Sequence, residues 1–125
     1  IVSGALDRNP DLSIILSHAG GFLPYIHGRI FHLDETEGRD GAKAAESLKR
    51  FYYDTALPMS PYATAPLLQA ALPDRILFGT DWPQVQTKGI AEQLAEMRED
   101  KELDSALRQK IMSDNARALF PRFAS

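Results

Sequence analysis

The chain contains three short, nearly continuous apolar runs that predict β-strands. They are Leu12–Leu16, Phe51–Tyr53 and Arg75–Phe78, and none of them alternates apolar with polar residues. Continuous apolar runs are typical of strands that are buried on both faces, as in parallel sheets covered by helices. We therefore expect a parallel sheet whose strands expose little surface.

Apolar residues with helical spacing lie between and after these runs. One stripe begins at Phe22 and continues through Leu23, Ile26, Ile30 and Leu33. A hydrophilic stretch from Asp34 to Gly41 reads as a loop, and Ala42–Arg50 as a short helix. This first half of the chain is predicted to have the order β-α-α.

The second half continues the alternation. Ser60 is a predicted N-cap, with Pro61 at the first position of a helix that continues to about Ala71. Two more helical stripes follow, formed by Ile90, Leu94 and Met97, and by Leu103, Leu107 and Ile111 in a tail from Asp104 to Phe120. The complete order is β-α-α-β-α-β-α-α, which predicts an α/β fold with parallel strands and right-handed crossovers.

Composition excludes several classes of function. The 125 residues are 44% hydrophobic and 25% charged, with a net charge of −3, no basic stripe and no cysteine. A nucleic-acid partner normally requires a basic patch, and a membrane span requires about 20 apolar residues in a row. Neither is present, so we expect neither a nucleic-acid partner nor a membrane span. The lack of cysteine fits a reducing compartment such as the cytoplasm.

The start of the chain suggests that the sequence is a piece of a longer one. It begins with Ile1 rather than methionine, and Val2, Ala5 and Leu6 already have helical spacing. Three strands are also few for a self-sufficient sheet, because both edges are left open. We therefore expect residues 1–125 to be part of a larger domain.

Candidate chemistry lies where the predicted strands end. His18 follows the first strand, Asp54 the second and Asp81 the third. The carboxyl ends of parallel strands meet at one edge of a sheet, where sites are built. His18 and Asp81 are candidate catalytic residues, although each also has a structural reading: a locally bonded histidine and a turn or helix cap ahead of Pro83. Asp54 reads as an anchor for the loop after it.

Three further residues are weighed as ligands. His27 and His32 are five residues apart on one predicted helix, whereas two metal ligands on one helix face are three or four apart, so we reject a local zinc pair. They are expected in solvent or at a subunit contact. Arg29 borders the apolar stripe, where an arginine either extends along the surface or reaches an anionic ligand.

Five segments together resemble a known family. They are Leu16–Tyr25, Gly28–Ile30, Phe51–Ala56, Ile76–Pro83 and Asn115–Phe120. Their order and spacing resemble the amidohydrolase-related family 2 proteins. The likeness is greatest to the decarboxylase branch, which includes the aminocarboxymuconate-semialdehyde and resorcylate-type decarboxylases.

This resemblance implies a fold and roles for particular residues. Members are (β/α)₈ TIM barrels, so residues 1–125 would be the C-terminal fragment of one barrel domain, covering about strands six to eight. By the same likeness, His18 acts on the metal-bound water or the substrate. Asp81 is a metal ligand and a proton donor or acceptor. Arg29 binds the substrate carboxylate, in some members across a dimer interface.

The resemblance also implies an activity. We expect a non-oxidative decarboxylase of an aromatic or muconate-type carboxylic acid, dependent on a divalent ion, zinc in the first instance or manganese. The family's His-x-His pair and its strand-five histidine are absent from this sequence, so the chain by itself is expected to be inactive. Two alternatives stay open: hydrolysis of an amide or lactone on the same barrel, and a non-catalytic truncated remnant.

Overall fold

The predicted alternation of strands and helices is present in the structure. The computed structural model describes residues 4–36, 41–57 and 61–123. In chain order the α-helices and strands are α1 (Ala5–Arg8), β1 (Ile15–Leu16), α2 (His27–Thr36), α3 (Gly41–Lys49), β2 (Tyr52–Asp54), α4 (Pro61–Ala70), β3 (Ile76–Leu77), α5 (Thr87–Glu99), α6 (Ser105–Gln109) and α7 (Asn115–Leu119). A π-helical turn, Lys110–Asp114, joins α6 to α7, and 3₁₀ turns occupy His18–Gly20, Pro73–Arg75 and Pro121–Phe123.

The three strands form one parallel sheet in the order β1-β2-β3. Ile15 pairs with Tyr52, and Tyr53 pairs with Ile76. Strand order follows chain order, and a helical crossover separates each pair of parallel neighbours. The α/β class and the parallel sheet predicted from the apolar runs are therefore confirmed.

Strands β1 and β3 are shorter than predicted, β2 is shifted by one residue toward the C-terminus, and β1 is not buried on both faces. Residues 12–14 lie outside β1, and Ile15 is 40% exposed. Strand β3, by contrast, is buried at both of its residues, Ile76 and Leu77. The prediction of double-sided burial is therefore right for β3 and wrong for β1, because no described element covers the Ile15 side chain.

Helix α2 differs from its prediction at both ends. It begins at His27 rather than near Phe22, whose side chain is 71% exposed. Gly21 is non-helical, with φ 61° and ψ −125°, and Pro24 disfavours helical geometry at the residue before it. At the other end the helix continues through Thr36, where a loop was predicted, while residues 37–40 lie outside the described part.

The other helices agree more closely with the sequence pattern. Helix α4 begins at Pro61 as predicted, although the predicted cap, Ser60, lies outside the described residues. Helix α1 starts after Gly4, whose φ of 68° ends regular helical geometry there, and Val2 is likewise outside the described residues. The predicted C-terminal helices form one nearly continuous segment that includes the π-helical turn.

The core lies between the sheet and the helices. Its largest fully buried side chains come from both, namely Leu48, Tyr53, Leu67, Ile76, Met97 and Ile111. Each such side chain contributes about 1.5–3 kcal/mol relative to full exposure. This packing fixes β2 and β3, and therefore the residues that follow them.

The C-terminal segment also bonds directly to the β3 region. The Asn115 side chain donates to the carbonyl oxygens of Pro73 and Ile76, both at 2.8 Å. The Phe78 amide donates to the Ile111 carbonyl at 3.0 Å, within the π-helical turn. Strand β3 is an edge strand of the described sheet. These bonds therefore satisfy backbone N–H and C=O groups that have no partner in a described strand.

None of the described helices combines the length and the apolar character that crossing a membrane requires.

Candidate active site

The ends of the three strands bring the candidate residues to one edge of the sheet. His18 lies two residues after β1, Asp54 is the last residue of β2, and Asp81 lies four residues after β3. All three strands run in the same direction. The residues predicted from strand ends therefore share the carboxyl edge, the usual location of sites in parallel α/β proteins.

His18 is held through its backbone and one ring nitrogen. Its amide donates to Asp54 Oδ1 at 2.8 Å, and its Nδ1 lies 3.3 Å from the Ala56 carbonyl oxygen. A carbonyl can only accept, so this contact places the proton on Nδ1. In the neutral ring the lone pair is then on Nε2, as is required of a histidine that binds a metal or moves a proton.

Asp54 anchors its own loop as well as that of His18. The same Oδ1 that accepts from His18 also accepts from the Ala56 amide at 3.0 Å. The second bond closes an Asx-type turn, which stabilises the loop after the strand. The prediction that Asp54 anchors the following loop is confirmed, and the bond to His18 is an addition to it.

The loop after β3 is tied to its surroundings on two sides. The Gly79 amide donates to Thr55 Oγ1 of the β2 loop at 3.2 Å, and the Gln93 side chain of α5 donates to the Thr80 carbonyl at 3.4 Å. Thr55 and Gln93 are both buried. The segment that leads into Asp81 is thus fixed by buried groups from other elements.

The Asp81 side chain is not used as a structural cap. Within the described residues its carboxylate accepts no hydrogen bond, and the turn at Trp82 is formed instead by Thr80 Oγ1, which accepts from the Trp82 amide at 3.3 Å. The half-buried Asp81 carboxylate is therefore available to a ligand. The alternative reading of Asp81 as a turn or helix cap is wrong.

The site concentrates unusual backbone conformations. His18, Ala19 and Asp81 have φ values of 56°, 55° and 59°, in the left-handed region that non-glycine residues rarely adopt. Each such residue costs of order 1–3 kcal/mol unless its surroundings impose it, and such outliers cluster at functional sites. Both candidate catalytic residues are among them, which is an observation independent of sequence likeness.

The His18 loop rests on a buried tyrosine. A Cβ at Gly20 would lie 2.8 Å from the Tyr53 ring, so only glycine permits this approach. The Tyr53 hydroxyl donates to the Leu48 carbonyl at 3.0 Å, and burial raises the pKa of this tyrosine to about 12. Tyr53 is therefore protonated at neutral pH, and its ring packs beneath the His18 loop.

The remaining candidates lie on α2. Arg29 and His32 are exposed and His27 is half-buried. In the described part of the chain no contact links the Arg29 guanidinium to His18 or Asp81. The structure does not bring Arg29 into the cluster at the strand ends.

The donor atoms at this edge suit a divalent cation but are few. Histidine nitrogen and carboxylate oxygen are ligands of both zinc and manganese. Across residues 4–36, 41–57 and 61–123, however, no three His, Cys, Asp or Glu side chains converge on a common point. Among the described residues, His18 and Asp81 are thus the candidate donors at this edge, and they do not by themselves make up a metal site.

Sequence reasoning missed two residues that shape the site. Thr55 and Gln93 carry no motif of their own, and their partners, Gly79 and Thr80, are 24 and 13 residues away. Glutamine is rarely buried, so Gln93 is unusual at a buried position of α5. A polar residue at such a position is the one signal that could have pointed to Gln93. Its Oε1 accepts no hydrogen bond within the described structure.

Comparison with known proteins places the chain in a family. A family model described as amidohydrolase matches residues 1–122. The chain belongs to the amidohydrolase family. The family predicted from the five sequence segments is thereby confirmed.

Relatives of this amidohydrolase chain are decarboxylases. It is 34% identical over 126 residues to 6-methylsalicylic acid decarboxylase of Penicillium expansum, covering 98% of the chain and 39% of that protein. It is 35% identical over 127 residues to gamma-resorcylate decarboxylase of Polaromonas sp., covering 94% of the chain and 37% of that protein. The chain therefore spans less than two fifths of the length of these relatives.

A solved structure agrees with the same assignment. The dihydroxybenzoic acid decarboxylase of Polaromonas sp., crystallised with manganese and the inhibitor 2-nitroresorcinol, matches with a TM-score of 0.79 at 31% identity. The match covers 96% of this chain and 37% of that one. The three strands and their helices are thus arranged as in the matching segment of that solved structure.

Proposed function

We propose that this chain is the C-terminal portion of a metal-dependent decarboxylase that acts on aromatic carboxylic acids. Its three strands would be strands six to eight of a (β/α)₈ barrel. One observation carries the proposal: two available donor side chains, His18 and Asp81, occupy left-handed backbone positions at the same edge of the sheet, after the two strands that flank β2. The decarboxylase relatives supply the reaction type.

Asp81, with its unbonded carboxylate, would be a ligand of the divalent ion, and Nε2 of His18 would face the ion or the substrate. When bound, the ion would bind the oxygen groups of the substrate and stabilise negative charge as it develops. The other ligands would come from the part of the barrel outside this chain. Because the described residues hold fewer than three convergent ligands, we infer that the 125-residue chain alone is inactive.

The proton balance of decarboxylation assigns a task to these side chains. The bond between the ring carbon and the carboxylate breaks, carbon dioxide leaves, and its electron pair stays on the ring carbon. That carbon must then take up a proton from an acid at the carboxyl edge of the sheet: His18 as the imidazolium, protonated on Nε2 as well as on Nδ1, or Asp81 as the carboxylic acid. The donor would be left as the neutral imidazole or the carboxylate and would take up a proton from solvent before the next turnover. The contact of His18 Nδ1 with the Ala56 carbonyl would keep Nε2 directed at this transfer.

The proposal also includes the surroundings of the site. Arg29, which is exposed on α2, would bind a substrate carboxylate from the subunit interface of a dimer. The protein would work on a small carboxylic acid in the cytoplasm, with zinc or manganese as the ion. Manganese is the first ion to test, since a decarboxylase that this chain matches contains it.

The test is a carbon dioxide release assay on the intact protein that carries this chain. The protein is loaded with manganese or zinc and given 2,6-dihydroxybenzoate, 6-methylsalicylate or an aminomuconate-like acid. Carbon dioxide release that a chelator abolishes is the expected result. The isolated 125-residue chain serves as the control and should release none.

Hydrolysis is the second candidate, because the same family description includes amidohydrolases. A metal site of this kind can activate water for opening an amide or a lactone. Lactone or amide opening without carbon dioxide release would favour the hydrolase. If the intact, metal-loaded protein gives neither reaction, the third reading, a non-catalytic remnant, is favoured instead.

A further inference from the structure

The Asp54 carboxylate accepts hydrogen bonds from the backbone of two strand-end loops, its own and that of His18. Oδ1 accepts two backbone amides, one from His18 at 2.8 Å and one from Ala56 at 3.0 Å. The first of these joins residues that are 36 positions apart in the sequence and lie on neighbouring strand ends. Asp54 therefore fixes the backbone of the residue that carries the imidazole.

The His18 backbone needs such a partner. A histidine at φ 56° is strained, and a charge-assisted bond to its amide offsets much of the cost. The Ala56 carbonyl, which the Asx-type turn at Asp54 places, contacts the ring nitrogen of the same histidine. One carboxylate oxygen thus controls both the backbone of His18 and the position of its ring.

Asp54 also limits the loop that carries Asp81. A Cβ at Gly79 would lie 3.1 Å from Asp54 Cβ and 3.2 Å from Asp54 Cγ, so the Gly79 backbone packs closely against the Asp54 side chain. Gly79 is two residues before Asp81. The Asp54 side chain therefore lies between the loops that hold the two candidate catalytic residues.

We propose that Asp54 is a positioning residue that acts as a hydrogen-bond acceptor through Oδ1, holding His18 in its left-handed conformation, and that it transfers no proton. The inference rests on the proposed role of His18. It gives a role to Asp54, the last residue of β2. Neither the resemblance nor the relatives assign β2 any part in the reaction.

Acceptor and acid–base roles predict different outcomes for one substitution. Asn offers the same acceptor atom as Asp but cannot take or release a proton. Asp54→Asn should therefore keep kcat within about threefold of wild type. Asp54→Ala removes the acceptor, and misplacing a reacting group by about 1 Å can cost on the order of a hundredfold, so its kcat should fall at least about tenfold.

The experiment measures kcat, KM, the pH profile and bound metal for Asp54→Asn and Asp54→Ala in the intact, metal-loaded protein. Asp74→Ala is the matched control, because Asp74 is an exposed carboxylate in the turn before β3, at the opposite edge of the sheet. Thermal unfolding midpoints of all three variants separate positioning from a loss of fold. The Asn variant should keep the wild-type pH profile.

A double-mutant cycle with His18→Ala completes the test. If Asp54 acts through His18, Asp54→Ala has little further effect on kcat once the imidazole is gone, whereas independent roles give multiplied losses. The inference would be overturned if the losses in kcat multiplied, or if Asp54→Asn lowered kcat as much as Asp54→Ala. Either result would leave the proposed function standing. Unchanged turnover in His18→Ala would overturn the proposed role of His18 and this inference together.

Discussion

At the scale of the residue, the site depends on a few backbone positions that most side chains avoid. His18 and Asp81 both have positive φ; His18 is held by Asp54 of β2, and the residue before Asp81 is held by Gln93 of α5. Holding reactive side chains on a backbone with little freedom reduces the cost of ordering them in the transition state. The following two predictions concern single residues.

Asp81 and His18 should respond differently to substitution in the intact protein. On the proposed role of Asp81 as a ligand of the ion, Asp81→Asn should lower bound metal and activity together. His18→Ala should mainly lower turnover, by about 10²–10⁴-fold if the imidazole moves the proton. Metal content by elemental analysis, read beside kcat, separates the two effects. Full metal occupancy in an inactive Asp81→Asn variant would remove Asp81 from the ligand set.

Gly20 and Gly21 provide a matched pair. Both have positive φ, but a Cβ at Gly20 would meet the Tyr53 ring at 2.8 Å, whereas nothing lies within 4 Å of one at Gly21. Gly21→Ala should lower the free energy of unfolding by about 1–3 kcal/mol through backbone strain alone, because φ 61° with ψ −125° lies outside the left-handed helical region and is nearly confined to glycine. Gly20→Ala should add about 1–3 kcal/mol for the clash. Equal losses in urea denaturation would show that the tyrosine yields.

At the scale of the element, the C-terminal helices act as supports for β3. The tail from Asp104 to Phe120 was predicted as helix from the stripe of Leu103, Leu107 and Ile111, and the structure confirms it. The pattern does not reveal the π-helical turn, in which the Ile111 carbonyl accepts from the Phe78 amide. The π-helical turn depends on contacts with the residues after β3, and these are not encoded in the local sequence pattern.

Asn115 should be the most sensitive polar residue of this segment. Its amide group donates to two carbonyl oxygens, and removing it leaves both without that donor. Asn115→Ala should therefore lower the free energy of unfolding by about 2–4 kcal/mol. Lys110→Ala, at an exposed position of the adjoining π-helical turn, is the control and should change it by less than about 0.5 kcal/mol. Comparable losses from both variants would contradict the assigned support role.

At the scale of the whole molecule, the buried Tyr53 links stability to alkaline pH. Its folded pKa is about 12, against 10.0 for the unperturbed group. The unfolded chain therefore loses this proton first. The contribution is complete below pH 10 and is lost as the pH rises from 10 to 12.

Tyr53→Phe should remove this dependence. At neutral pH the variant loses the bond to the Leu48 carbonyl, a cost of about 1 kcal/mol. Between pH 10 and 12 its free energy of unfolding should fall less steeply than that of wild type. Parallel slopes in denaturant titrations across this range would show that Tyr53 is not the responsible group.

Much of the molecule could be read from its sequence. Continuous apolar runs predict the three parallel strands, helical stripes predict most helices, and the strand-end positions of His18, Asp54 and Asp81 predict one shared edge. These features follow from hydrophobic periodicity, turn chemistry and the direction of parallel strands, which act over a few residues at a time. The same local reasoning failed for the start of α2, where the non-helical Gly21 and the effect of Pro24 on the residue before it outweigh the apolar stripe. It also failed for the burial of Ile15, where neighbouring elements decide.

Only the tertiary structure decided how the site is held. The bond from the His18 amide to Asp54 spans 36 residues, and those that fix the loop before Asp81 span 24 and 13. Positive φ at His18 and Asp81 runs against their intrinsic preference, so it exists only because packing and these long-range bonds impose it. The sequence by itself determined which residues reach the edge of the sheet; the contacts between strands determined their conformation and left Asp81 free for a ligand.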